Sequence, residues 1–115
     1  MSISFGGVGE LCVTFKAAAS VTRGCPVKMS ANDTVAACSN GDRMMGVAID
    51  VKEDGYCTVQ VSGVVAMKYT GSAPTVGYAV LGANGSGGVK AVSSGGSEFL
   101  VLNVDSASGT VGFII

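Results

Sequence analysis

Between residues 41 and 81 the chain reads GDRMMGVAIDVKEDGYCTVQVSGVVAMKYTGSAPTVGYAVL, and the alternation of apolar and polar positions in this stretch decides the fold class. In Tyr56 to Ser62, Cys57, Val59 and Val61 project to one side, and Tyr56, Thr58, Gln60 and Ser62 to the other. That is the period-two pattern of a strand with one packed face and one wet face. Gly63 interrupts it, and afterwards Val65, Met67 and Tyr69 alternate with Val64, Ala66 and Lys68, which predicts a bulge or bend that re-aims the faces. Upstream, Met44 to Val51 is separated from this strand by Lys52, Glu53, Asp54 and Gly55. Charges favour solvent and Asp-Gly suits a tight turn, so the two runs are expected to pair antiparallel.

The same reading extends outward. Leu11, Val13 and Phe15 oppose Cys12, Thr14 and Lys16 in a first strand that follows the glycine-rich SISFGGVGE. Short strands are expected at Val27 to Met29, Thr34 to Cys38, Val76 to Leu81 and Val89 to Val92, and two strongly apolar ones at Glu98 to Val104 and Thr110 to Ile115. The only helical temptation, Lys16 to Val21, is too short and uncapped to stand alone. Eight or nine short strands predict an all-β fold, a small antiparallel β-barrel or sandwich with an extended N-terminal arm. The expected organisation is an arm over residues 1–10 and a single β domain over residues 11–115, with no repeat of solenoid length.

Composition narrows the function. With 115 residues, 48% of them hydrophobic and only 13% charged, the chain has enough apolar material for a core and less surface charge than an ordinary monomer carries. Part of the exterior is therefore expected to be covered by other subunits. Seven basic residues against eight acidic ones, never clustered, give no stripe for nucleic acid. No apolar run approaches the roughly 18 residues of a membrane helix, and the first residues lack the basic start of a signal peptide, so synthesis and folding in the cytoplasm are expected. The four cysteines, Cys12, Cys25, Cys38 and Cys57, are far apart and are expected to be small buried hydrophobes rather than zinc ligands or disulfides.

Histidine is absent, which removes the commonest general base and any Ser-His or Cys-His pair. Asp50, Glu53 and Asp54 sit at a predicted turn, where solvation explains them better than acid-base work. GGVGE and GSGGVK lack the GxxxxGK[ST] pattern of a phosphate loop and read as flexible loops. Met29, Met44, Met45 and Met67 are expected to fill core, with an adaptable binding surface as the alternative. No catalytic, metal or cofactor residues are expected, and the chain is not expected to be an enzyme; catalysis by Cys25 or Cys38 is a remote reading that an unusually reactive thiol would support.

The order of CVTFKAAASVTRGCPVKMSANDTVAAC, GDRMMGVAIDV, TVQVSGVV, TGSAPTVGYAVL and SGTVGFII resembles the capsid cement, or head decoration, proteins of tailed bacteriophages and prophages. The shared motifs are G-x-P-V-x-x-S at Gly24 to Ser30, G-V-A at Gly46 to Ala48, V-x-V-x-G-V at Val59 to Val64 and P-x-V-G at Pro74 to Gly77. They are sheet and turn patterns spread over nearly the whole chain, and none is a chemical signature. The resemblance implies a β-barrel-like subunit, commonly a homotrimer, on the outer surface of an icosahedral head, where it bridges neighbouring major capsid proteins. Capsid binding is then expected in the arm, at Ser2, Ile3, Ser4, Phe5 and Val8, where isolated apolar residues among glycines can order on a partner. Self-association is expected at Tyr69, Pro74, Val76 and Tyr78. The alternative is a small β adhesion or carbohydrate-binding module, such as a phage tail or baseplate component, which the lack of tryptophan disfavours.

Overall fold

In the computed structural model, which describes residues 10–115, ten strands form an all-β structure with no helix among the described residues. The strands are β1 (Leu11–Ala17), β2 (Pro26–Ala31), β3 (Thr34–Ala37), β4 (Gly46–Val51), β5 (Tyr56–Ser62), β6 (Val64–Thr70), β7 (Gly77–Ala83), β8 (Val89–Ala91), β9 (Ser97–Asp105) and β10 (Thr110–Ile114). The strand-rich reading of the sequence holds along the chain. The expected hairpin is formed by β4 and β5, which pair antiparallel around Gly55, in the left-handed region at φ 88°. Asp54 caps that turn by accepting the Tyr56 N–H at 3.2 Å.

The ten strands close into two five-stranded barrels, in the orders β1-β3-β2-β4-β5 and β6-β8-β7-β9-β10. The second repeats the first. In each, the first and third strands run parallel over two residue pairs, Lys16 and Ala17 with Thr34 and Val35, and Tyr69 and Thr70 with Val89 and Lys90. The remaining neighbours are antiparallel. Even an irregularity recurs: the β4–β5 ladder skips Ile49, between Ala48 and Asp50, and the β9–β10 ladder skips Leu102, between Val101 and Asn103. Residues with positive φ keep the same spacing of about 54 residues, as Gly24 and Gly77, Asp33 and Gly87, Gly41 and Gly95, and Gly55 and Gly109. The chain is thus a tandem pair of one barrel topology, with a repeat longer than the units of a solenoid.

Each barrel has its own core. Val21, Cys25, Val27, Val35, Ala48, Cys57 and Val59 fill the first. Val65, Met67, Leu81, Val89, Val101, Val111 and Phe113 fill the second, where the rings of Phe99 and Phe113 lie 5.1 Å apart in a tilted arrangement. Met44 and Val47, which belong to the first barrel by sequence, join the second core. The loop that carries Met44 is stitched to β7: the Gly41 N–H donates to the Ala83 carbonyl at 2.7 Å, and the Ala83 N–H donates to the Asp42 carbonyl at 2.9 Å.

Gly63 is the junction between the barrels, and its φ of 104° is open to glycine and strained for other residues. A Cβ there would stand 3.0 Å from the Cα of Glu10. The Gln60 side chain, expected on the wet face of its strand, is instead buried, and its amide donates to the Ser62 carbonyl at 3.1 Å and the Val64 carbonyl at 3.2 Å, one on each side of the glycine. The Ile115 N–H donates to the Gly63 carbonyl at 3.0 Å, so both ends of the described chain converge on this residue. Gly63→Ala is expected to cost about 1–3 kcal/mol through backbone strain. Gln60→Ala is expected to cost a similar amount, about 1–3 kcal/mol, through loss of the two bonds its buried amide makes across the junction. Urea denaturation of each variant measures both, and a loss below about 0.5 kcal/mol, the range of an ordinary surface substitution, would show that the junction is not a point of strain.

Candidate functional site

The residues expected to mediate self-association separate in the fold. Tyr69 lies on β6, half-buried and packed against the second core, and Pro74 is buried. Val76 and Tyr78 point outward and are 64% and 73% exposed, the most exposed large hydrophobic residues described. The arm residues Ser2, Ile3, Ser4, Phe5 and Val8 lie outside the described residues.

The outward face around Val76 and Tyr78 is wider than the sequence suggests. Along β7 the alternation puts Tyr78 and Val80 on the outside. The antiparallel register sets Leu100 of β9 opposite Tyr78, and Ile114 of β10 opposite Leu100. Tyr78, Leu100 and Ile114 therefore form a row across three strands, with Val76 and Val80 flanking it, and side chains opposite one another on neighbouring strands are in contact range. The same row lines a groove between the barrels, whose other lining residues include Met29, Met45 and Val61 with Lys28, Arg43 and Glu98. Leu100 and Ile114 do not stand out in the sequence, because only the register shows which residues of three separate strands line up.

Lys28, which lines this groove, pairs with Asp42, their Nζ and Oδ2 atoms 2.6 Å apart. The hydrogen bond from Lys28 holds the Asp42 carboxyl below its ordinary range, helped by the Ser39 N–H, and the same bond raises the Lys28 ammonium. Asp42 also carries the loop stitched to β7, so this ion pair braces the seam between the barrels.

Thiol chemistry is muted at Cys38 and Cys57. All four cysteines are free; Cys25 and Cys57 are buried and Cys38 is half-buried, as expected of small hydrophobes, but Cys12 is exposed. Burial pushes the Cys38 thiol up to about 11, with the nearby Asp42 carboxylate adding to it, and burial also raises Cys57. A thiol raised this far carries little thiolate at neutral pH and is a poor nucleophile. The carboxylates Asp50, Glu53 and Asp54 are solvent-exposed at the β4–β5 turn, and no group of three or more potential metal ligands occurs among the described residues. The GSGGVK loop is ordered by Asn84, whose Oδ1 accepts N–H bonds from Ser86 at 2.8 Å and Gly88 at 3.0 Å. Of the methionines, Met44 and Met67 fill core as expected, whereas Met29 is 48% exposed.

The chain matches no family model and no curated protein. The exposed apolar row and its groove are therefore the features on which a function can be built.

The Lys28–Asp42 pair sets a pH dependence. Asp42 is depressed on folding, so its contribution is present above the ordinary carboxylate pKa near 4 and is lost as pH falls through the lower folded value. Lys28 is raised, so its contribution is complete below about 10.4 and is lost as pH rises through its folded value. Lys28→Met is expected to flatten the acid limb of the stability curve relative to the parent protein. Thermal melts between about pH 2 and pH 6 test this, and parallel acid limbs would remove the pair from the account of the seam.

Proposed function

We propose that this protein is a structural virion component that decorates the outer surface of an icosahedral phage head and stabilises it by bridging major capsid protein subunits. The observation that carries the reading is the row of exposed Val76, Tyr78, Val80 and Ile114 with half-buried Leu100 among them, on a weakly charged β scaffold. Such a row favours contact with another protein surface. Its position on paired strands gives it a fixed shape, so little ordering entropy opposes docking. The order of strand and turn motifs shared with head decoration proteins supplies the biological setting.

The mechanism is mechanical. Packaged DNA pushes capsomers apart, and a subunit lying across a boundary must lose its contacts before the boundary opens. An interface of standard size, about 1,600 Å² in total, corresponds to tens of kcal/mol of gross apolar burial, most of it offset by association and ordering costs. Repetition over the shell converts a modest net gain per site into a large resistance to rupture. In this reading the N-terminal residues Ser2 to Val8 attach to the capsid, and copies, a trimer in the proposal, meet through the face that carries Val76 and Tyr78.

One observation favours the alternative of a carbohydrate-binding or adhesion module: Tyr78 stands exposed beside a groove, where a sugar ring can stack. Two variants separate the readings. Deleting residues 1–9 is expected to leave the circular dichroism spectrum unchanged and to abolish co-sedimentation with undecorated heads. Combining Val76→Ser with Tyr78→Ser is expected to preserve the fold and lower the mass of the assembly in sedimentation. If the truncated protein still decorates heads at full affinity, the arm assignment is wrong; if the parent itself does not co-sediment with heads and is retained saturably on a glycan array, the capsid reading gives way to the alternative.

A further inference from the structure

The repeated topology allows one barrel to be compared with the other, position by position, and the comparison exposes an uncovered wall. Val13 pairs with Val59 and Phe15 with Cys57 in the first barrel; Val65 pairs with Phe113 and Met67 with Val111 in the second. Val13 therefore corresponds to Val65, and Phe15 to Met67. Val65 and Met67 are only 7% and 5% exposed, in a core that also receives Met44 and Val47 from the other barrel. The first core receives nothing from the second barrel, and Val13 is 38% and its neighbour Leu11 55% exposed. The sequence predicts Leu11, Val13 and Phe15 as a packed face, and only its Phe15 end joins the core.

The backbone of the same strand is open as well. Among the described residues β3 meets β1 only at Lys16 and Ala17, so Leu11 to Phe15 has β5 on one side and no strand on the other. The Lys16 N–H donates towards β3, to the Asp33 carbonyl, while the Ala17 N–H donates to the Gly55 carbonyl on the other side. Because backbone groups alternate sides along a strand, the N–H and C=O groups of Cys12 and Thr14 face the open edge. An apolar strand with an unpaired edge is a template for another strand.

We infer that this edge joins two copies of the chain, β1 against β1 antiparallel, about a twofold axis through Val13. This interface goes beyond the head-decoration reading and does not depend on it. The register follows from the residues. With Val13 opposite Val13 of the second copy, Leu11 meets Phe15, and Cys12 exchanges backbone hydrogen bonds with Thr14, the two positions whose polar groups point outward. The same register carries Glu10 to the end of the second strand where Lys16 lies, so opposite charges meet at both ends of the ladder. Centring on Thr14 would set Cys12 against Lys16 and Leu11 against Ala17. Centring on Cys12 would leave Phe15 opposite residue 9.

The test is a cross-link at the axis, where facing residues in a non-hydrogen-bonded antiparallel pair stand about 4.5 Å apart at Cα, within reach of a disulfide. In a Cys12→Ser background, Val13→Cys is expected to oxidise to a covalent dimer at least about tenfold faster than Ser106→Cys, an exposed position in the β9–β10 turn of the other barrel, because pairing raises the local thiol concentration. Equal rates would overturn the inference. In parallel, Val13→Lys in the full-length chain is expected to keep the circular dichroism spectrum and to halve the sedimenting mass; an unchanged mass would overturn it. If the thiol introduced by Val13→Cys resists both cross-linking and maleimide in the full-length chain, and becomes reactive only when residues 1–9 are removed, the occupant of the edge is the chain's own N-terminus, and the inference fails.

Discussion

A single glycine carries the chain from the first barrel into the second. Gly63 turns the chain from β5 into β6 with a backbone angle that other residues adopt only under strain, and the Gln60 amide bonds the carbonyls on either side of it. A buried amide is costly without partners, so once the turn forms, the side chain that clamps it becomes part of what holds it. Glu10 and Ile115 close on the same residue. The junction therefore fixes the start of both barrels and the end of the second.

From that constraint the division of the cores follows. Each barrel closes on its own five strands, yet the second core is complete only with Met44 and Val47 from the first. Strand-like hydrogen bonds between the Gly41–Asp42 loop and Ala83, with the Lys28–Asp42 pair beside them, hold that contribution in place. The arrangement makes the two halves unequal despite a common topology. One half is sealed by its neighbour, and the other keeps the Leu11 and Val13 wall open. The apolar row of β7, β9 and β10 lies on the sealed half, and the groove beside it is lined by residues of both halves.

Much of the scaffold is legible in the residues, but its candidate contact surface is only partly so. Val76 and Tyr78 can be named because a hydrophobic residue beside turn residues stands out in a linear pattern. Leu100 and Ile114 cannot, since each looks like an ordinary core residue of a strongly apolar strand until the register sets it beside Tyr78. Tyr69 and Pro74 show the converse error of proximity: they neighbour Val76 in sequence, but Tyr69 packs against the core and Pro74 is buried. Alternation assigns Gln60 to the wet face, and the bend at Gly63 turns that position into an enclosed one.

Local chemistry determined the strands, the turns and the absence of a His-based catalytic pair, because alternation, glycine and side-chain type act over a few residues at a time. Tertiary structure alone decided that the strands close as two barrels of one topology. Core positions tolerate exchange of apolar residues, so Cys57 and Val59 correspond to Val111 and Phe113 with little identity left to read. The backbone positions with positive φ keep the spacing of about 54 residues, but their glycines are hidden among 18 in the chain. Which apolar residues stay bare was likewise settled by packing, because exposure depends on what the other half of the molecule brings to each wall.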